Sequence, residues 1–191
     1  MTALPHWIVS DIVAGLWLVW FAYWIFRSFG NKPTLRGPRI FSVILDRMII
    51  VAAVLIFFSD PMPRLRLYPI NIWTQCAGLL LFLAGIAISF WARVVLGRNW
   101  SGVAMVKQNH ELVRSGPYRA MRHPIYSGII LGLIGTVVAV DPYVWAVVAV
   151  FLMALSFKIR SLREEKLMLV EFPEAYPQYM REVKSLIPCI Y

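Results

Sequence analysis

Apolar residues occur along this chain in five long stretches that are separated by shorter polar segments. The stretches cover approximately residues 7–26, 40–59, 70–96, 124–140 and 143–159. Runs of about 17–25 apolar residues are long enough to cross a bilayer as α-helices, which satisfy their backbone hydrogen bonds internally. The pattern therefore predicts an all-α integral membrane protein with five transmembrane helices.

The last two stretches are the shortest and lie close together. Asp141-Pro142 separates them, and this pair indicates a helix end followed by a new helix start. We therefore expect a short hairpin, followed by a helical C-terminal tail. No polar segment is long enough to bury a core of its own, so residues 1–191 are expected to form a single membrane domain.

The charge distribution predicts an orientation. A net charge of +9 could suggest nucleic acid, but in a membrane protein it is typical of basic loops that face anionic lipid. With five spans, the basic regions 27–39, 93–122 and 158–184 fall on one side of the membrane. The positive-inside rule then places the N-terminus outside and the C-terminus in the cytoplasm.

The two cysteines change little in this picture. Cys76 and Cys189 are far apart and lack the spacing of a disulfide framework or a metal site. No metal is therefore expected.

A polar stretch, "RSGPYRAMRHPIYSG" at 114–128, lies directly before the fourth apolar stretch. His123-Pro124 is a helix-start signal, because proline is tolerated in the first helical turn. The backbone N–H groups of 125–127 are then expected to be free donors that attract an anion. The same helix end is expected to lower the pKa of His123 and to favour a neutral imidazole.

A second polar group follows the fifth stretch, in "KIRSLREEKLMLVEFPEAYPQYMREV". Arg160 and Glu164 are spaced i, i+4 and share one helix face, while Glu165 lies on an adjacent face. A solvated ion pair of this kind contributes little to stability. Carboxylates beside the membrane could instead hold a cationic ligand. Tyr176 and Tyr179 lie about one helical turn apart, with Pro177 marking a broken turn or a helix start.

These two groups, "HELVRSGPYRAMRHPIYSG" and "RSLREEKLMLVEFPEAYPQY", together resemble the isoprenylcysteine carboxyl methyltransferase family. More broadly they resemble the membrane methyltransferases that include phospholipid N-methyltransferases. The resemblance runs from "LGRNWS" at 96–101 to "LIP" at 186–188, and this part is the expected catalytic region.

The resemblance implies transfer of a methyl group from S-adenosyl-L-methionine to the carboxylate of a prenylated cysteine in the membrane. The acceptor, a lipidated small molecule or peptide, would enter from the bilayer and meet the active site at the cytoplasmic surface. Arg160 occupies the family's substrate-side arginine position and is the implied catalytic residue. The cofactor-binding residues implied by motif position are His110, Glu111, Leu112, Val113, Tyr118, His123, Pro124, Ile125, Tyr126 and Glu164.

Three alternatives remain open. N-methylation of a phospholipid amine requires a base, for which Glu165 or a tyrosine could serve. A sterol-reductase-like enzyme would use a related pocket for NADPH, although such proteins need more than five spans. A membrane scaffold or small transporter would not need the "RHPIY" and "REE" groups at these spacings.

Overall fold

The computed structural model describes residues 3–29, 31–32, 34–36, 40–58, 65–100, 106–107, 111–140 and 142–186. In this described part the α-helices are α1 (His6–Ser28), α2 (Ile40–Phe58), α3 (Ile72–Leu96), α4 (Pro124–Ala139), α5 (Val144–Glu171) and α6 (Ala175–Glu182). The strands β1 (Thr34–Arg36) and β2 (Val106–Lys107) form a short antiparallel ladder.

The five apolar stretches are all helical, and the predicted helices are confirmed to within a few residues at all ends but the last. Among the described residues, three helices are long and apolar enough to cross a membrane, namely α1, α3 with the turn that follows it, and α5. The protein is therefore an integral membrane protein. Helix α4 has 16 residues, about 24 Å, which is shorter than a bilayer core of about 30 Å. The count of five spans stays a prediction.

The fifth helix is longer than predicted, so the expected short hairpin is wrong in this respect. Helix α5 has 28 residues and ends at Glu171 instead of near 159. The charged residues after Phe157 are good helix formers, and hydropathy alone does not detect such an extension. The helix ends before Pro173, because the residue preceding a proline is disfavoured in helical conformation.

The all-α prediction also did not include the β1–β2 ladder. Its strands have three and two residues, and they join the segment after α1 to the segment after α3. Strands this short carry no alternating pattern of apolar and polar residues, so the sequence gives no signal for them.

Helices α3 and α4 form the tightest pair in the structure, through a glycine seam made of Gly78, Gly85, Gly128 and Gly135. A Cβ added to Gly85 would lie 2.4 Å from the backbone nitrogen of Gly132, and one added to Gly135 would lie 2.3 Å from that of Phe82. Small residues allow helix backbones to approach this closely in membranes. The pair runs antiparallel, so the end of α3 lies beside the start of α4.

The C-terminal segment folds back onto the residues that precede α4. Met121 pairs in parallel with Lys184, and the backbone N–H of His123 donates to the carbonyl oxygen of Ser185 at 3.1 Å. The Tyr179 hydroxyl donates to the carbonyl oxygen of Tyr118 at 2.5 Å. These contacts hold α6 close to the ends of α3 and α4.

Candidate active site

A pocket opens where the end of α3, the start of α4, the outer part of α5 and α6 come together. Its empty volume is about 800 Å³, which includes space open to solvent. The lining residues are Leu96, Asn99, Trp100, Glu111, Leu112, Val113, Tyr118, Arg122, His123, Ile125, Tyr126, Glu164, Met168, Tyr176 and Tyr179.

Tyr126 stands at the centre of an aromatic stack at this pocket. Its ring is nearly parallel to those of His123 and Phe157, with centroid distances of 5.6 Å and 4.8 Å. The Tyr126 hydroxyl donates to Glu164 Oε1 at 2.6 Å. Stacking on these two rings and a hydrogen bond at the tip fix this side chain in one orientation.

Charged side chains on both sides of this stack form an ionic cluster, which consists of Arg122, His123, Arg160, Glu164 and Glu165. Its deepest member is Glu165, whose side chain is 8% exposed. Glu165 Oε1 accepts hydrogen bonds from Arg122 Nε at 3.0 Å and Nη2 at 2.8 Å, and from Ser185 Oγ at 3.2 Å. Arg122 also donates to the carbonyl oxygens of Met180 and Val183. Glu165 and Arg122 thus tie α5 to the folded-back tail.

Arg160 and Glu164 share one face of α5, as their spacing predicted. Arg160 Nε donates to Glu164 Oε1 at 3.1 Å, and the guanidinium carbon lies 5.4 Å from the Tyr126 ring centroid. The Arg160 side chain is 14% exposed, so the pair is not the solvated surface bridge of the alternative interpretation. An ion pair shielded from water in this way is stronger than an exposed one.

The expected lowering of the His123 pKa is contradicted. His123 Nε2 lies 3.1 Å from Glu165 Oε1, and Nδ1 lies 3.6 Å from Glu164 Oε2. Burial opposes the charged form, but the two carboxylates outweigh it and raise the pKa of His123. The helix end alone would have acted in the opposite direction, and these carboxylates come from a part of the chain about forty residues away.

The expected group of free backbone donors at the start of α4 is smaller than predicted. The N–H of Ser127 donates to the carbonyl oxygen of His123 at 3.2 Å, as in any continued helix. Only the backbone N–H groups of the first turn, which starts at Pro124, have no carbonyl partner within the helix.

The structure brings together most of the residues that the motifs indicated. Eight of the predicted cofactor residues line the pocket, namely Glu111, Leu112, Val113, Tyr118, His123, Ile125, Tyr126 and Glu164. Pro124 is fully buried behind them. Arg160 is not part of the lining, but it contacts Glu164 and Tyr126, which are. His110 lies outside the described residues. That these residues bind a cofactor stays a prediction.

Several lining residues were missed from sequence. Arg122 lies inside the "RHPIY" stretch and Tyr176 and Tyr179 inside "EAYPQY", so the motifs contained them without indicating a role. Asn99 lies in the turn after α3 and Met168 on α5; both fall within stretches that carry the resemblance, "LGRNWS" and "RSLREEKLMLVEFPEAYPQY", but no role was assigned to either.

Comparison with known proteins identifies the same region. Residues 78–170 match the family model described as isoprenylcysteine carboxyl methyltransferase (ICMT) family. Protein-S-isoprenylcysteine O-methyltransferase B of Arabidopsis thaliana is 28% identical over 120 residues, which are 62% of this chain and 61% of the plant protein. The cobalt-zinc-cadmium resistance protein CzcN of Cupriavidus metallidurans is 28% identical over 116 residues, which are 60% of this chain and 52% of that protein.

Among solved structures, the eukaryotic intramembrane Ras methyltransferase ICMT matches with a TM-score of 0.57 and 22% identity, covering 78% of this chain and 52% of that one. The chain thus spans less than two thirds of the length of the relatives described above. The match over residues 78–170 and the shared fold confirm that this chain resembles the isoprenylcysteine carboxyl methyltransferase family.

Proposed function

We propose that this protein transfers a methyl group from S-adenosyl-L-methionine to the carboxylate of a prenylated cysteine in the membrane. The observation that carries the proposal is the position of the pocket. It lies at the end of apolar helices and is lined by the residues of both motifs. A water-soluble methyl donor and a lipid-anchored acceptor can meet only at such a boundary.

The chemistry of the lining fits S-adenosyl-L-methionine. Tyr118, Tyr126 and Trp100 offer aromatic surface for the nucleoside, and Glu164 offers a carboxylate for ribose hydroxyls or for an ammonium group. When bound, the cofactor would supply an activated methyl group: its carbon–sulfur bond breaks as the new bond to the acceptor oxygen forms, and the neutral thioether leaves. The protein's tasks are then to position the two reactants in line and to exclude water.

The acceptor needs orientation more than activation, because a carboxylate is already ionised at neutral pH. The planar guanidinium of Arg160 suits bidentate contact with a carboxylate. Its ion pair with Glu164 holds the side chain beside Tyr126 and offsets part of its positive charge. A weaker field at the guanidinium leaves the acceptor oxygen more nucleophilic.

We propose five membrane spans, with the N-terminus outside and the active site and C-terminus in the cytoplasm. The basic regions 27–39, 93–122 and 158–184 support this orientation through the positive-inside rule. Reporter fusions at Tyr191 and at Pro142 should then report opposite sides of the membrane. Fusions that report the same side would contradict the five-span topology.

The tyrosines of the pocket argue against a phenolate base for a phospholipid amine. Burial raises the pKa of Tyr179 to about 12, and it also raises the pKa values of Tyr118 and Tyr176 well above the usual range. These phenols therefore stay protonated at neutral pH. A carboxylate acceptor needs no such base, whereas an amine acceptor would depend on Glu165.

The test is a methyl-transfer assay with purified protein and labelled S-adenosyl-L-methionine. N-acetyl-S-farnesylcysteine and phosphatidylethanolamine are offered in parallel, in the same detergent. We expect label in the farnesylated compound that is released as methanol by mild base, since a methyl ester is formed. Label in the phospholipid alone would overturn the proposal that the acceptor is a prenylcysteine carboxylate. Binding of NADPH without S-adenosyl-L-methionine binding would overturn the reaction class.

A further inference from the structure

Asn99 carries a hydrogen-bonding group for which the described residues provide no partner. It ends the 3₁₀ turn Gly97–Asn99 after α3, lines the pocket and is only 8% exposed. Its side-chain oxygen Oδ1 is buried and has no hydrogen-bond partner among the residues that the structure describes. A buried acceptor without a partner is destabilising. Its presence in a pocket wall therefore indicates a ligand group that donates a hydrogen bond to it.

The turn that holds Asn99 is anchored from two helices. Arg93 Nη1 donates to the carbonyl oxygen of Gly97 at 2.5 Å, and Nη2 donates to that of Arg27 at the end of α1 at 2.8 Å. The Arg93 guanidinium carbon also lies 4.6 Å from the ring centroid of Trp100. Contacts on both sides of Asn99 fix the backbone at this point, so the side chain is held at the pocket wall before any ligand binds.

The surroundings of Asn99 differ from those of the ionic cluster. Leu96 and Trp100, its neighbours in the lining, pack against the apolar core together with Val113, and the buried Tyr118 belongs to that core. Apart from Glu111, whose side chain is 74% exposed and pairs with Lys32, the charged groups that line the pocket come from the start of α4 and from α5. The pocket thus combines an apolar part of the lining that contains one amide with a charged part.

This division matches the two halves of an S-adenosyl nucleotide derivative. Adenine is a flat apolar ring with an exocyclic amine, whereas the amino acid half is charged. An asparagine amide is complementary to adenine, because its oxygen accepts from the 6-amino group while its nitrogen donates to a ring nitrogen. A carboxylate such as Glu164 is better matched to hydroxyl or ammonium groups.

From these observations we infer that Asn99 recognises the adenine of the cofactor, with Oδ1 accepting a hydrogen bond from the 6-amino group. The inference rests on the proposed function, because it takes S-adenosyl-L-methionine as the ligand. It assigns a specificity-determining residue to the turn after α3, within the "LGRNWS" stretch and outside the two polar motifs.

The test compares two ligands on purified wild-type protein and on Asn99→Ala. The ligands are S-adenosylhomocysteine and its analogue with purine in place of adenine, which lacks only the 6-amino group. We expect the wild-type protein to bind the adenine compound roughly tenfold or more tightly than the purine compound. Asn99→Ala should bind both with nearly equal affinity, because only the adenine compound loses a hydrogen bond to the Asn99 oxygen.

Asn31→Ala is the matched control. The Asn31 side-chain oxygen accepts from Arg93 Nη2 at 3.2 Å, so it supports the same turn without lining the pocket. This variant should keep the preference for the adenine compound even if both affinities fall. Asn99→Asp retains an acceptor oxygen and should also keep the preference, which provides a second test if Asn99→Ala does not fold.

The outcomes separate this inference from the proposed function. A wild-type protein that binds neither compound would overturn both. Binding by the wild type with an unchanged preference in Asn99→Ala would overturn only the role of Asn99. Equal affinity of Asn99→Asp for the two compounds would likewise contradict it.

Discussion

The glycine seam, between α3 and α4, and the ionic cluster, between the start of α4 and α5, hold neighbouring parts of the molecule by opposite means. At the seam, α3 and α4 approach so closely that a single added methyl group would collide with backbone atoms. At the cluster, side chains from α4, α5 and the tail approach through charges and hydrogen bonds. The seam has no polar side chains and provides only rigid packing. The cluster, in contrast, adds charged groups that a ligand can contact. Substitutions in the two regions should therefore fail in different ways.

The largest effect is expected at Glu165, the buried centre of the cluster. Glu165→Ala leaves Arg122 and His123 without their shared carboxylate. Breaking a buried ion pair costs about 3–5 kcal/mol, because a charge is left without compensation. Thermal unfolding in detergent should show a large loss of stability. Glu174→Ala, which removes an exposed carboxylate, should change little, and equal effects of the two variants would contradict the buried role.

A smaller but purely steric loss is expected in the seam. In Gly85→Ala the new methyl group meets the Gly132 nitrogen at 2.4 Å and the Gly128 carbonyl oxygen at 2.5 Å, so the helices must separate. Overpacking of this kind costs about 1–3 kcal/mol. Gly15→Ala on α1 is the control, because its added methyl group has no atom within 4 Å. Similar melting temperatures for the two variants would show that the close approach is not needed.

The third expected effect depends on pH. Because Glu164 and Glu165 raise the pKa of His123, its charged form stabilises the folded protein. This contribution is complete below the unfolded pKa of about 6.5 and is lost as the pH rises through the higher folded value. It amounts to about 1.4 kcal/mol for each unit by which the pKa is raised.

The check is the melting temperature measured from about pH 6 upward. His123→Gln should flatten the decline toward alkaline pH, whereas His6→Gln, which alters an exposed residue outside the pocket, should keep it. A wild-type melting temperature that rises with pH over this range would contradict a charged His123.

The sequence predicted the parts of the fold that depend on local pattern. The five apolar helices follow from hydropathy, and the contact between Arg160 and Glu164 follows from their spacing on one helix. The glycine seam was also visible, since Gly128, Gly132 and Gly135 recur at helical spacing, but that spacing was not interpreted.

The remaining features depend on contacts between distant parts of the chain. The charge of His123 is set by carboxylates on α5, and the partners of Glu165 come from the start of α4 and from the tail. The exposure of Asn99 to the pocket depends on how α3 ends against α1. Local propensity contains no information on such pairings, so only the folded arrangement defines them.

We propose that the cluster divides its work, with Arg160 serving the acceptor and Glu164 the cofactor. The most direct measurement is turnover and S-adenosyl-L-methionine affinity in Arg160→Ala and Glu164→Ala, side by side. Arg160→Ala should lose about 1.5–3 kcal/mol of transition-state stabilisation, roughly a ten- to hundredfold lower rate, with little change in cofactor affinity. Arg160→Lys should recover little, because a point charge does not reproduce the planar fork. Glu164→Ala should instead weaken cofactor binding. Near-wild-type turnover and affinity in both alanine variants would contradict the claim.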